Sequence, residues 1–299
     1  METHLNPCKK HSGIPPGCLM FDLLFTAALF LTGLSFGRFL LELPLPAKLM
    51  HHLCPEKPAL HSLNRYLCFL GVWILIGSAM LLTEADRKLL FSSPICRYRK
   101  KNLTGFLIAL AAGFAANGVC VFGAQLTGSF TLHRAPVSAG MPVLFFLAIL
   151  IQAGAEEFTF RFFLYQKLLQ KNCNPSLAVA GNVLLFLVLH LMNAGLNMVG
   201  ALQIVLMGIL LSLLAADENK IWEAIAFHTA WNASQSLLFG LKNSGTDSVV
   251  SFFLPESVRS GFFYDAAFGV EGSIGACLVL FLTLTALLLY RKATGKPIF

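Results

Sequence analysis

Charge is what this sequence has least of. Only 12% of its 299 residues are Asp, Glu, Lys or Arg, about half the roughly 25% usual in a soluble domain. Hydrophobic residues make up 56%, and the mean hydropathy is +0.71. An ordinary soluble domain is excluded, and the fold class read from this balance is all-α and polytopic in the membrane. Paired cysteines are also lacking: eight are scattered along the chain with no Cys-x-x-Cys. That spacing supports neither a disulfide framework nor a thiolate metal site, and leaves cysteine as a small hydrophobe. No internal repeat is visible, which withholds support from a carrier built of inverted halves. No basic patch interleaved with aromatics occurs, so nucleic acid is not an expected partner. The net charge of +7 is read instead as an excess of Lys and Arg in cytoplasmic loops.

What is present is a series of long apolar runs. Eight spans are expected, at about 18–43, 67–82, 103–126, 142–170, 176–192, 196–216, 221–241 and 274–290. The first is too long for a signal-peptide core and reads as a retained anchor. Arg38 lies near its end, where snorkelling assisted by Glu42 one turn on would accommodate it. Pro142 suits a first helical turn. With the N-terminus inside, fourteen Lys and Arg fall in inner segments, six of them between positions 85 and 102, against six in outer loops. This bias places both termini inside. The chain then divides into a polar segment with three undiagnostic spans (1–141), a five-span core (142–291) and a basic tail (292–299).

Within the core, apolar helices carry polar groups that are costly at bilayer depth, about 2.5–3.5 kcal/mol per charge on insertion scales. Glu156, Glu157 and Arg161 sit within six positions. Glu157 and Arg161 have i, i+4 spacing in the favourable order for an in-helix ion pair. Glu156, rotated by about 100° around the helix, is left to face another neighbour and suits a general base; the reverse assignment is its rival. His190 follows Phe186 by four residues, and Asn232 follows His228 by four, so each pair shares a helix face. Counting roughly 1.5 Å per residue from the inner ends puts Glu156 and His190 roughly 21 Å deep, His228 roughly 12 Å and Asn232 roughly 18 Å. All four are expected in the middle or inner half of the bilayer, around one cavity. Each group alone has a structural reading as interhelical hydrogen bonder or ion pair; their joint occurrence points to a site.

These residues resemble the CAAX-protease and bacteriocin-processing (CPBP) family, which includes the prenyl-protein endopeptidases. Glu156, Glu157 and Arg161 match its EExxxR motif, Phe186 and His190 its FxxxH, and His228 and Asn232 its HxxxN. Gly269, Glu271 and Gly272 resemble its Gly-x-Glu-Gly element. Phe162 stands where members often have Gly. The resemblance covers roughly the second half of the chain. It implies intramembrane peptide-bond hydrolysis, with Glu156 and His190 activating a water, His228 and Asn232 stabilising the oxyanion, and Glu157, Arg161 and Phe186 in support.

No metal is favoured. The helix-borne His-Glu-x-x-His signature is absent, although Glu156, His190 and His228 could give a His₂Glu zinc site. The expected function is an intramembrane endopeptidase acting on a membrane-associated or lipidated peptide, in a bacterial plasma membrane. A non-enzymatic protein of the same fold (an immunity factor or scaffold) is the second reading, and an ion-coupled carrier the third.

Overall fold

The computed structural model describes residues 16–92, 100–138, 140–171, 173–216 and 221–296. The expected N-terminal polar segment with Lys9 and Lys10, Arg97 and Arg99 of the basic stretch, Asn172, the turn at 217–220 and the end of the tail lie outside these residues. The chain is mainly helical. It begins with α1 (Pro16–Glu42), α2 (Pro44–Leu53), α3 (Lys57–Leu67), α4 (Phe69–Leu82), α5 (Glu84–Ser92) and α6 (Lys100–Leu126). A short strand β1 (Thr131–Arg134) precedes α7 (Gly140–Glu157), which runs through a π-helical segment (Phe158–Leu164) into α8 (Tyr165–Gln170). Then come α9 (Pro175–His190), α10 (Met198–Ala215), α11 (Ile221–Ala233) with a second π segment (Ser234–Leu238), β2 (Phe253–Glu256) and α12 (Ile274–Ala293).

The polar residues that bound the apolar runs also start the helices. Asn174 accepts the amide of Ser176 at 2.9 Å with Pro175 in the first turn of α9. Asn197 takes Gly200 N at 2.7 Å for α10, and Ser273 takes Ala276 N at 3.2 Å for α12. Each cap satisfies an amide that the first helical turn leaves open.

Among the described residues, six helical stretches are long and apolar enough to cross a bilayer: Cys18–Glu42, Lys57–Leu82, Leu103–Leu126, Gly140–Gln170, Met198–Ala215 and Ile274–Ala293. The expected fifth and seventh spans are not among them. The fifth is α9, 16 residues long, or about 24 Å; the seventh is α11 with its π segment. Both nevertheless join the same two ends of the bundle as their neighbours. One end is marked by Asp22 of α1 paired with Lys171 at 2.6 Å and by Asp86 of α5 near Lys167 at 3.8 Å. The other end holds the 190–197 turn and the 239–273 loop, joined where Asn197 donates to Gly272 O at 3.3 Å. The outside of the bundle is apolar, with Phe21, Leu107, Phe122, Phe281 and Leu282 exposed, while Glu157, Arg161, Asn182 and His228 are buried. That inversion of the soluble pattern suits a lipid surround.

Three segments expected as loops between spans turn out to be structured. The 43–65 segment forms α2 and α3, each with proline in its first turn, and α3 buries Ala59, Leu60, Leu63 and Leu67 along one face. The loops at 127–139 and 239–273 meet in a two-stranded antiparallel ribbon, with Leu132 opposite Pro255 and His133 opposite Leu254. The all-α expectation holds, with that ribbon as the one strand pair among the described residues. The ribbon also holds both loops at one end of the bundle.

Candidate active site

Glu156 and Glu157 close α7, and the π segment begins at the next residue; such segments recur at functional sites. The two neighbouring carboxylates point to different surroundings. Glu157 is fully buried, and its Oε1 accepts both Arg161 Nη1 at 3.1 Å and His228 Nδ1 at 2.9 Å. Arg161, 2% exposed, also donates from Nη2 to Gly208 O at 3.3 Å, and its guanidinium lies 4.6 Å from the Phe186 ring centroid. One ion pair, backed by a cation–π contact, thus ties α7, α9, α10 and α11 together. The in-helix pair expected from the spacing is formed, and it has the additional task of holding His228.

Glu156 faces a cavity of about 280 Å³ lined also by Gln152, His190, His228 and Asn232. Its Oε1 accepts Gln152 Nε2 at 2.6 Å, and Gln152 Oε1 accepts Asn232 Nδ2 at 3.2 Å. Its Oε2 has no hydrogen-bond partner among the described residues. His228 Nε2 is 3.7 Å from that oxygen, too long for a hydrogen bond. His190 is the last residue of α9, and its Nδ1 lies 2.7 Å from Phe186 O. A carbonyl only accepts, so Nδ1 carries the proton and Nε2 keeps a lone pair. Phe186 therefore serves through its backbone oxygen toward His190 and through its ring toward Arg161.

The depth expected for these groups needs correction. His190 ends its helix, and the cavity wall includes Asn193, Asn243 and Ser244 from the turn and loop beyond. The site therefore lies toward the ribbon end, away from the end bearing Lys167 and Lys171. The counts from the inner ends already put Glu156 and His190 past the middle of a core about 30 Å thick; it is their reading as the inner half that fails.

Residues 138–234 match the family model described as Type II CAAX prenyl endopeptidase Rce1-like. This segment is Rce1-like. It is about a third of the chain and holds all three motifs through which the sequence resembles the CPBP family. No curated protein and no solved structure matches the chain.

Outside the Rce1-like segment, the Gly-x-Glu-Gly resemblance now has a physical role. Gly269 has φ +103°, and a Cβ there would run into Lys242 O. The turn carries Glu271, whose Oε2 accepts Ser244 N at 2.6 Å and Ser244 Oγ at 2.7 Å. Ser244 itself has φ +47° and lines the cavity. Glu271 thus fixes a strained residue on the cavity wall. Burial pushes its carboxyl above the ordinary range, against the opposing pull of the two Ser244 hydrogen bonds.

Sequence reasoning missed Gln152, which bridges Glu156 and Asn232. The signal was present: an amide one helical turn before Glu156, inside an apolar run. Arg38 lies exposed near the end of α1, as its place in the span suggests, and it also lines the same cavity as Glu156. As for zinc, no three His, Cys, Asp or Glu side chains among the described residues group closely enough to hold a metal. Glu156, His190 and His228 are not grouped as a zinc site among the described residues, and no step below runs through one.

Proposed function

We propose that this multi-pass membrane protein is an endopeptidase that cleaves a membrane-associated, CAAX-like lipidated peptide without a metal. The observation that carries the reading is the carboxylate of Glu156, which lines the cavity shared with His190, His228 and Asn232 and keeps its Oε2 without a hydrogen bond among the described residues. Glu157 Oε2 is likewise unbonded there, but Glu157 does not line the cavity and its Oε1 is held by Arg161 and His228.

In this reading a water between Glu156 and His190 attacks the scissile carbonyl carbon. Glu156 takes the water proton, and His190 Nε2 accepts a hydrogen bond that orients the water. Such a positioned base contributes about 10²–10⁴-fold. The carbonyl oxygen becomes an oxyanion that takes the second N–H of Asn232, whose first is held by Gln152, and the Nε2–H of His228. In that role His228 carries protons on both nitrogens, with Glu157 receiving Nδ1–H. Each such donor is worth on the order of 10²–10³ in rate. Collapse expels the amine, which receives the proton from Glu156, and atoms and charge balance.

Eight crossings with both termini inside a bacterial plasma membrane complete the proposal, supported by the count of basic residues. The cavity then opens toward the outer face. Impermeant thiol reagents should label Ser244→Cys from outside the cell, and labelling only after permeabilisation would reverse the orientation. The activity is tested with the purified protein in liposomes after exhaustive chelation. A prenylated CAAX peptide should be cut by the chelated wild type and left intact by Glu156→Gln. Activity that returns only with added zinc would replace the metal-free mechanism.

A further inference from the structure

Helices α1, α3 and α4 lie outside the matched residues, yet they line the cavity that holds Glu156. Gly33 and Gly37 stand one turn apart on α1, against Gly71 on α4. A Cβ on Gly37 would run into Cys68 O, and one on Gly71 into Gly33 O. A Gly-x-x-x-Gly stripe of this kind lets two membrane helices bring their backbones together. The residue after Gly37 is Arg38, so the close approach places it next to the Cys68 backbone on which Gly37 packs. The Cys68 thiol donates to Arg65 O at 3.1 Å, and Arg65 Nη1 donates to Thr246 Oγ1 at 3.5 Å from the opposite loop.

Two guanidiniums thus line the cavity that holds Glu156. The same two border an adjoining cavity with Glu42 and His61. Among the described residues, no ion pair joins either arginine to a carboxylate. A pair of cations without a fixed anion, in the chamber where the scissile bond would lie, calls for an anionic group on the occupant.

We propose that Arg38 and Arg65 form the subsite for the free α-carboxylate of the substrate peptide, so that the enzyme removes a short C-terminal tail. The proposal rests on the endopeptidase reading above. Guanidinium matches a planar carboxylate in two-pronged hydrogen bonds, and Asn193, Asn243 and Ser244 on the same wall offer further polar contacts. A lipid phosphate is the weaker candidate, because both side chains share the polar cavity of Glu156, whereas the lipid-facing surface is apolar.

The test uses one prenylated peptide ending in a CAAX box, made as free acid and as C-terminal amide. Its binding is measured to Glu156→Gln protein in nanodiscs of zwitterionic lipid, and its cleavage by protein with Glu156 intact. The acid should bind about tenfold tighter or more than the amide, the scale of a charged hydrogen bond. Arg38→Gln and Arg65→Gln should bring the acid-to-amide ratio toward one, and Arg65→Lys should restore part of it. Melting temperatures identify any variant that fails to fold, and Arg65→Lys keeps the test open in that case. Equal binding of acid and amide, or a ratio unchanged in all three variants, overturns the subsite. A ratio that appears only with phosphatidylglycerol in the disc marks lipid phosphate as the partner and overturns it too. If neither peptide is cut but the acid still binds selectively, the subsite stands and the endopeptidase reading falls.

Discussion

The Rce1-like segment and the helices before it differ in how their polar groups are held. In the segment, Glu157, Arg161 and His228 form one buried bonded group and Gln152 and Asn232 another, across α7, its π segment and α11. In α1–α4 the cavity-lining Arg65 is held by a single side-chain contact to Thr246, and Arg38 pairs with no carboxylate among the described residues. The first region is set before a substrate arrives, which is what reaction chemistry requires. The second has capacity left over, which is what recognition requires. Motifs record the first because its spacing lies within single helices; the second depends on two helices meeting at glycines.

The largest effect expected of breaking this division lies in the segment. His190→Ala should lower turnover of a prenylated peptide by about 10²–10⁴-fold while its affinity, measured by fluorescence anisotropy, stays at the wild-type level. Comparable losses of binding and turnover would move His190 to the recognition side.

Next comes the structural carboxylate. Glu157→Gln leaves Arg161 buried without its counter-charge and should cost about 3–5 kcal/mol of stability, the scale for breaking a buried pair. Denaturant titration in detergent measures this. Adding Arg161→Met should recover part of the loss. A Glu157→Gln protein as stable as wild type but inactive would instead hand Glu157 the role assigned to Glu156.

The smaller effect falls in α1. Gly37→Leu overpacks the contact with Cys68 and should cost about 1–3 kcal/mol, read in the same titration. It should also narrow the acid-to-amide ratio by displacing Arg38. An unchanged ratio would separate the helix contact from the subsite.

How much of this was legible in the sequence follows from the range of each interaction. The Glu157–Arg161 pair, the His190–Phe186 face and the helix caps act within four residues, and spacing alone reveals them. The bond from His228 to Glu157 spans 71 positions and that from Asn232 to Gln152 spans 80, so no local pattern announces them. Gln152 and the Gly33–Gly37 stripe carried readable signals, an intramembrane amide and a small-residue repeat, that only the packing made meaningful. The ribbon of Thr131–Arg134 with Phe253–Glu256 was illegible for the same reason as α2 and α3. Short polar segments between spans read as loops until long-range pairing or burial organises them. Arg38 is legible as a cation near the end of its span, but its place on the cavity of Glu156 depends on α1 meeting α3 and α4, which no local pattern shows.

The central claim is that Glu156 performs chemistry and does not hold the fold or the substrate. Single-turnover cleavage of a prenylated CAAX peptide by Glu156→Gln, with binding followed in the same samples, tests it most directly. The account predicts wild-type affinity and melting temperature with no product formed. Product released at the wild-type rate would contradict it.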